Sequence, residues 1–270
     1  MRYFAVRLRR NLALTGAACL ALLMVYAVHG ASLAHENFVT GWLLVAAIAV
    51  LVLYNARRGA PALPLGSSTA WMQLHVYLAI VAIFLFLLHV GIEVPRGIME
   101  KVLAGLFVAV AGSGVFGFVL ARLLPARLSR RGEVMLYERI PQFRRQLLER
   151  GEALALRAVE ETGSTTIADY YADRLRPFLD GPRNFWAHVL EVSRGRRDLL
   201  VEMRDLERYL DDNEKEILRE LAELSGLKDD LDYQYALQSM LKRWQFVHVP
   251  LAYALIVFVL LHAVVVYAFA

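Results

Sequence analysis

Long apolar runs and one long amphipathic stretch alternate along this 270-residue chain. Five runs, at about 12–29, 38–55, 70–92, 103–124 and 245–269, hold roughly 18–25 residues each with few or no charges. As helices they are long enough to cross a hydrocarbon core about 30 Å thick. The stretch 126–243 has a different rhythm. Apolar residues recur there at spacings of three and four, as in Leu199, Met203, Leu206, Leu210, Ile217, Leu221 and Leu224. Charges of alternating sign occupy the opposite faces, as in Glu214-Lys215-Glu216 and Arg219-Glu220. This pattern predicts helices at about 133–161, 165–178, 183–194, 197–224 and 228–243. Breaks are expected at Thr162-Gly163-Ser164, Asp180-Gly181-Pro182, Gly195 and Ser225-Gly226-Leu227. The last helix is expected to run straight into the fifth span, and about 118 residues can bury a modest core.

The expected fold class is therefore an all-α membrane protein. Transmembrane helices one to four occupy 1–125, a helical insert 126–243, and transmembrane helix five 244–270. Composition agrees: 58% of residues are hydrophobic and the mean hydropathy is +0.43, too apolar for an ordinary soluble domain. The insert carries 21 Lys and Arg against 23 Asp and Glu, so the net charge of +4 comes from the termini and short loops. That is the distribution of a membrane topology, not of a nucleic-acid-binding surface.

The basic residues orient the chain. Arg2, Arg7, Arg9 and Arg10 precede the first span, Arg57 and Arg58 separate the second from the third, and Arg122, Arg127, Arg130 and Arg131 close the fourth. The loop at 30–37 has no basic residue, and 93–102 has only Arg96 and Lys101. The positive-inside rule then places the N-terminus, the 56–69 loop and the insert in the cytoplasm of a bacterial-type inner membrane, with the C-terminus outside. Spans three and five run in parallel from inside to outside. The first span, with its basic lead and Gly30-Ala31-Ser32, shares features with a secretory signal, but its apolar run is long and an uncleaved anchor is expected. Cys19, the single cysteine, lies inside that span, where it reads as a small apolar residue. One thiol holds neither an iron–sulfur cluster nor a c-type haem.

Two spans carry histidines at one repeated interval. Span three reads Trp71-Met-Gln-Leu-His75 and reaches His89; span five reads Trp244-Gln-Phe-Val-His248 and reaches His262. Both intervals are 14 residues, and the flanks His75-Val-Tyr-Leu-Ala and His248-Val-Pro-Leu-Ala align as an internal repeat. Fourteen residues of helix rise about 21 Å and leave the two rings within roughly 40° of one another around the axis. Each helix thus offers two imidazoles on one face, near opposite sides of the bilayer. Side by side, the parallel helices pair His75 with His248 and His89 with His262, an arrangement suited to the axial ligation of two haem b groups. Zinc would need a compact tetrahedron that this separation does not supply. A histidine hydrogen-bonded to a neighbour or set in a proton path is the plainer reading of any one of them.

Other residues are weaker candidates. Arg57, Arg58, Lys242 and Arg243 lie at the cytoplasmic ends of spans two and five and have the charge to pair with propionates of an inner haem; Arg96 has it for an outer one. Each also serves as an ordinary topology determinant. Gly105, Gly112, Gly114 and Gly117 in span four, and Gly16 and Gly30 in span one, admit either a flat macrocycle or close helix packing. Trp42, Trp71, Tyr77, Trp244, Tyr253 and Tyr267 read as interface belt and packing. Pro250 is expected in the first turn of span five, where proline is tolerated. His29 and His35 read as loop residues and His188 as structural. The insert shows no phosphate-binding loop, dinucleotide fingerprint or distinctive acid–base constellation, and is expected to dock a partner or cover the inner haem.

On the histidine pattern, the chain resembles the di-haem four-helix bundle of respiratory cytochrome b. The placement on spans three and five is more similar to the ferric reductase and NADPH oxidase group. The resemblance covers roughly 38–124 and 245–269 and implies that His75, His89, His248 and His262 are the axial ligands of two haem irons. The chain departs from both families: the Pro-Glu-Trp-Tyr quinol motif is missing, and these 270 residues include no sixth span and no flavin- or nicotinamide-binding region. The function expected first is a di-haem cytochrome b subunit of a larger membrane oxidoreductase. It would exchange electrons between a quinone pool and partner subunits bearing a c-type cytochrome, an iron–sulfur centre or a flavin. The alternatives are a transmembrane reductase of the ferric reductase type, fed by a separate cytoplasmic flavoprotein, and a haem-free scaffold or sensor acting through the insert.

Overall fold

The computed structural model describes residues 2–31, 36–59, 66–91, 94–131, 133–192 and 194–269. Among them the chain is almost entirely helical and has no strand. Five helices are long and apolar enough to cross a membrane: α1 (Arg2–Ala31), α2 (Glu36–Gly59), α3 (Ser68–Val90), α4 (Ile98–Leu128) and the 58-residue α10 (Asp212–Phe269). Between α4 and α10 lie α5 (Ile140–Thr162), α6 (Thr166–Tyr170), α7 (Arg176–Leu179), α8 (Phe185–Val189) and α9 (Arg194–Leu206). A π-type turn, Tyr171–Leu175, joins α6 to α7.

The chain divides into two compact units, one formed by Met1–Phe118 with Trp244–Ala270, the other by Val119–Arg243. In the first unit α3 packs along α2 and α1. Its core gathers Leu44, Ala47 and Ile48 of α2, Ala82 and Leu85 of α3, Phe107 of α4, and Leu255 and Val259 of α10. Phe86 stacks on Phe107 with centroids 4.2 Å apart. Ala82 stands seven residues from both His75 and His89, and Leu255 seven from both His248 and His262. The four helices therefore close on one another midway between the histidine levels. Ser67 caps α3, its hydroxyl accepting from the Ala70 amide at 3.2 Å, and Gly91 at φ +74° ends the helix two residues after His89.

In the second unit α5, the α6–α7 segment, α9 and the first turns of α10 share a core that includes Leu154, Ala158, Ile167, Leu175, Leu179, Met203, Ile217 and Leu221. The expected breaks at 162–164 and 180–182 are present, with Gly163 and Gly181 at positive φ. Several boundaries differ from expectation: α5 starts at Ile140 rather than at 133, α8 covers only Phe185–Val189 of the helix expected over 183–194, and Gly195, where a break is expected, lies inside α9. The helix expected over 197–224 stops near Leu210, because Asp211 and Glu214 form a reciprocal cap: the Glu214 amide donates to Asp211 Oδ1 at 2.8 Å and the Asp211 amide to Glu214 Oε2 at 3.0 Å. No break occurs at Ser225-Gly226-Leu227. Ser225 is fully buried and its hydroxyl donates to the Ala222 carbonyl at 2.6 Å, so packing on both sides holds the helix through a weak local sequence. As expected, α10 then continues without interruption through Trp244 and His248. Pro250 therefore lies inside a long helix rather than in a first turn, and it leaves the Phe246 carbonyl without a helical donor.

Candidate cofactor site

His75 and His248 lie within electrostatic reach of one another across α3 and α10. The His75 ring packs at 4.9 Å against Tyr54 of α2, while its Nδ1 is buried with no hydrogen-bond partner. Buried polar atoms in folded proteins are seldom left so. On α10, His248 is held from two sides. Trp244, one turn earlier, stacks on it at 5.1 Å and 25°, and Ser113 of α4 places its hydroxyl 2.6 Å from His248 Nδ1. The roles in that bond depend on the imidazole tautomer, and the next contact favours one assignment. The Ser113 hydroxyl donates to the Val110 carbonyl at 3.0 Å, so its oxygen accepts from Nδ1–H of His248. A neutral imidazole protonated at Nδ1 carries its lone pair on Nε2.

Two glycines of α4 make room for this cluster. A Cβ on Gly117 would lie 1.9 Å from Trp244 Cζ2, and one on Gly114 3.7 Å from His248 Cε1. The indole Nε1 donates to the Ser113 carbonyl at 2.7 Å. Gly114 and Gly117 thus seat side chains of α10, whereas a Cβ on Gly105 or Gly112 would meet open space.

The other level repeats the device with different residues. Thr40 of α2, 5% exposed, sets its hydroxyl 3.3 Å from His89 Nδ1. The neighbouring Gly41 lets the ring approach, since a Cβ there would be 2.9 Å from His89 Cε1. Thr40 and Tyr54 are themselves 14 residues apart, so α2 meets both histidines of α3 at the α3 interval. A small apolar cavity of about 10 Å³ between α1, α2 and α3 is lined by residues including Tyr26, Thr40, Leu43, Leu85 and Leu88. His262 is half-buried on α10.

The arginines are placed less uniformly. Arg57 donates to the Gly66 carbonyl at 3.1 Å, and Arg96 is exposed. The side chains of Arg58, His29 and His35 lie outside the described residues. Arg243 stands 4.9 Å over the Phe185 ring, and Lys242 pairs with Glu138 at 2.5 Å and covers the Tyr137 ring.

The chemistry of the donors is compatible with imidazole ligation of haem: a buried unpartnered nitrogen on His75, and a hydroxyl of an adjacent span beside Nδ1 of His89 and of His248. Hydrogen bonding of the non-ligating nitrogen is the usual support of a metal-bound histidine. Thr40, Gly41 and Ser113 escaped the sequence reading. Their only signal there is a hydroxyl or a missing side chain inside an apolar run, which helix packing explains equally well. The chain matches no protein-family model, no curated protein and no solved structure.

Proposed function

We propose that this protein is a di-haem b-type cytochrome subunit that carries electrons across a membrane between a quinone pool and redox partner proteins. The observation that supports this reading most is the paired treatment of the histidines. On spans that bury few polar groups, one imidazole at each of two levels has its Nδ1 fixed by a hydroxyl from a neighbouring helix. A buried imidazole needs such a bond in any role; its recurrence at two levels 14 residues apart on α3 and across to α10 is what supports ligation.

In this reading His75 and His248 hold one haem and His89 and His262 the other. Haem held by these imidazoles would supply one-electron transfer. The chain's own part is positional. Ser113 keeps the Nε2 lone pair of His248 available, Trp244 keeps its ring from rotating, and Thr40 with Gly41 does the same for His89. The plug around Ala82, Leu85, Phe107 and Leu255 keeps the two levels separate. Arg57, Arg58, Arg96 and Arg243 are the cations proposed to pair with propionates, and Arg243 and Lys242 also meet aromatic and acidic side chains. By the positive-inside rule 126–243 would face the cytoplasm, and a c-type cytochrome, iron–sulfur or flavoprotein partner would dock on one side or the other of the membrane.

Quinol reduction tests the functional half. Purified protein in lipid nanodiscs, given a reduced quinone anaerobically, is expected to show the haem α-band within seconds. Reduction by dithionite but not by any quinol would overturn the quinone link and favour a reductase fed by a separate flavoprotein.

A further inference from the structure

The short helix α8 is turned inside out for a water-facing element. Trp186 and Leu190, one turn apart on one face, are 67% and 70% exposed, and Val192 beyond them is 40% exposed. The polar member of the helix, His188, is 5% exposed on the opposite face, with Nε2 3.8 Å from the buried Asp229 and its ring against Tyr233. A surface helix in water buries its apolar stripe and shows its polar one. The segment is also fastened to the residues that flank the two apolar spans. Arg127, in the last turn of α4, donates to the Val189 carbonyl at 2.8 Å and to Glu191 at 2.8 Å. At the other end Arg243, immediately before the apolar run of α10, lies over Phe185. Exposed Leu123 sits one turn before Arg127 on α4.

We infer that the Trp186–Val192 face lies in the headgroup layer of the membrane, as an interfacial anchor of the 119–243 unit. The inference rests on the reading that α4 and α10 cross a membrane, and not on haem. The occupant is lipid because Arg127 ties the segment to the last turn of α4, one turn after exposed Leu123 of that apolar helix, and because tryptophan beside aliphatic residues is the composition that partitions at the boundary of headgroups and acyl chains. Charge complementarity specifies the lipid further. Exposed Arg183 precedes the segment and exposed Arg130 lies within electrostatic reach of Glu191 behind it, so anionic headgroups are favoured.

Spin-label accessibility tests this on the full chain in nanodiscs of phosphatidylcholine and phosphatidylglycerol. In a Cys19→Ser background, labels are placed by Leu190→Cys or Val192→Cys, with Leu123→Cys as the reference for lipid and Tyr209→Cys, 84% exposed, as the reference for water. The expected result is relaxation by oxygen at 190 and 192 as at 123, with loss of relaxation by a water-soluble nickel chelate. Nickel relaxation at 190 and 192 equal to that at 209 would overturn the anchor. Shielding from both reagents would also overturn it, in favour of a protein partner or a second copy on this face. Nickel relaxation at 123 as well would mean that the membrane reading of α4 itself has failed.

Discussion

Replacing Ser113 by alanine removes one hydroxyl from the spans and leaves the backbone contacts of that turn in place. The Trp244 indole bonds to the Ser113 carbonyl, which alanine retains, so the stack of Trp244 on His248 is not directly disturbed. What is lost is the 2.6 Å bond that fixes His248 with its proton on Nδ1. Removal of such a supporting bond typically weakens metal affinity about 10- to 100-fold, which corresponds to about 1.4–2.8 kcal/mol. The assay is transfer of haem from the detergent-purified variant to excess apomyoglobin, with the two haems followed separately by their reduced α-bands. In Ser113→Ala, the haem at the His75–His248 level is expected to leave about 10- to 100-fold faster while the other is unchanged. Ser113→Thr, which keeps the hydroxyl, is expected to restore retention. Equal loss rates for wild type and Ser113→Ala at both levels would refute the assignment of His248 as a ligand oriented by Ser113.

Gly41→Ala puts a methyl 2.9 Å from His89 Cε1, so the ring must move and the haem at the outer level is lost selectively, read from the same α-bands; loss of the inner one instead would contradict the pairing. Gly117→Ala sets a methyl 1.9 Å from the Trp244 ring, an overpacking expected to cost about 1–3 kcal/mol and to lower the thermal midpoint in detergent; an unchanged midpoint would show that the Trp244 seat is not needed. Burial pushes the Tyr170 phenol up to about 12 from its ordinary 10. The folded state therefore keeps that proton between pH 10 and 12 after the unfolded chain has lost it, and stability falls across the window. Tyr170→Phe is expected to flatten the fall in chemical-denaturation midpoints over that range, by a modest amount because the phenol is only half buried; an identical slope in both proteins would contradict this.

Apolar length carries the five candidate spans plainly in the sequence, since a hydrocarbon core demands long uncharged helices whatever their partners. The 14-residue histidine interval is legible for the same reason: it is a property of one helix at a time. What could not be read is what helices do to one another. Thr40, Gly41 and Ser113 acquire their roles only because α2 and α4 stand against α3 and α10. The continuity of α10 through Ser225-Gly226-Leu227 likewise comes from burial of Ser225 and Lys228 on neighbours distant in sequence. One miss was avoidable. Asp211 and Glu214 have the spacing of a helix cap, which the apolar periodicity running through Leu210 and Ile217 concealed. The inverted face of α8 was hidden in another way, because a five-residue helix is too short to show a periodicity.

Haem content is the most direct test of the account. The pyridine haemochrome assay on purified, monodisperse protein is expected to give two b-type haems per chain, and His75→Ala/His248→Ala and His89→Ala/His262→Ala double variants one each. Folded protein that binds no haem under conditions of full haem supply would contradict the central claim.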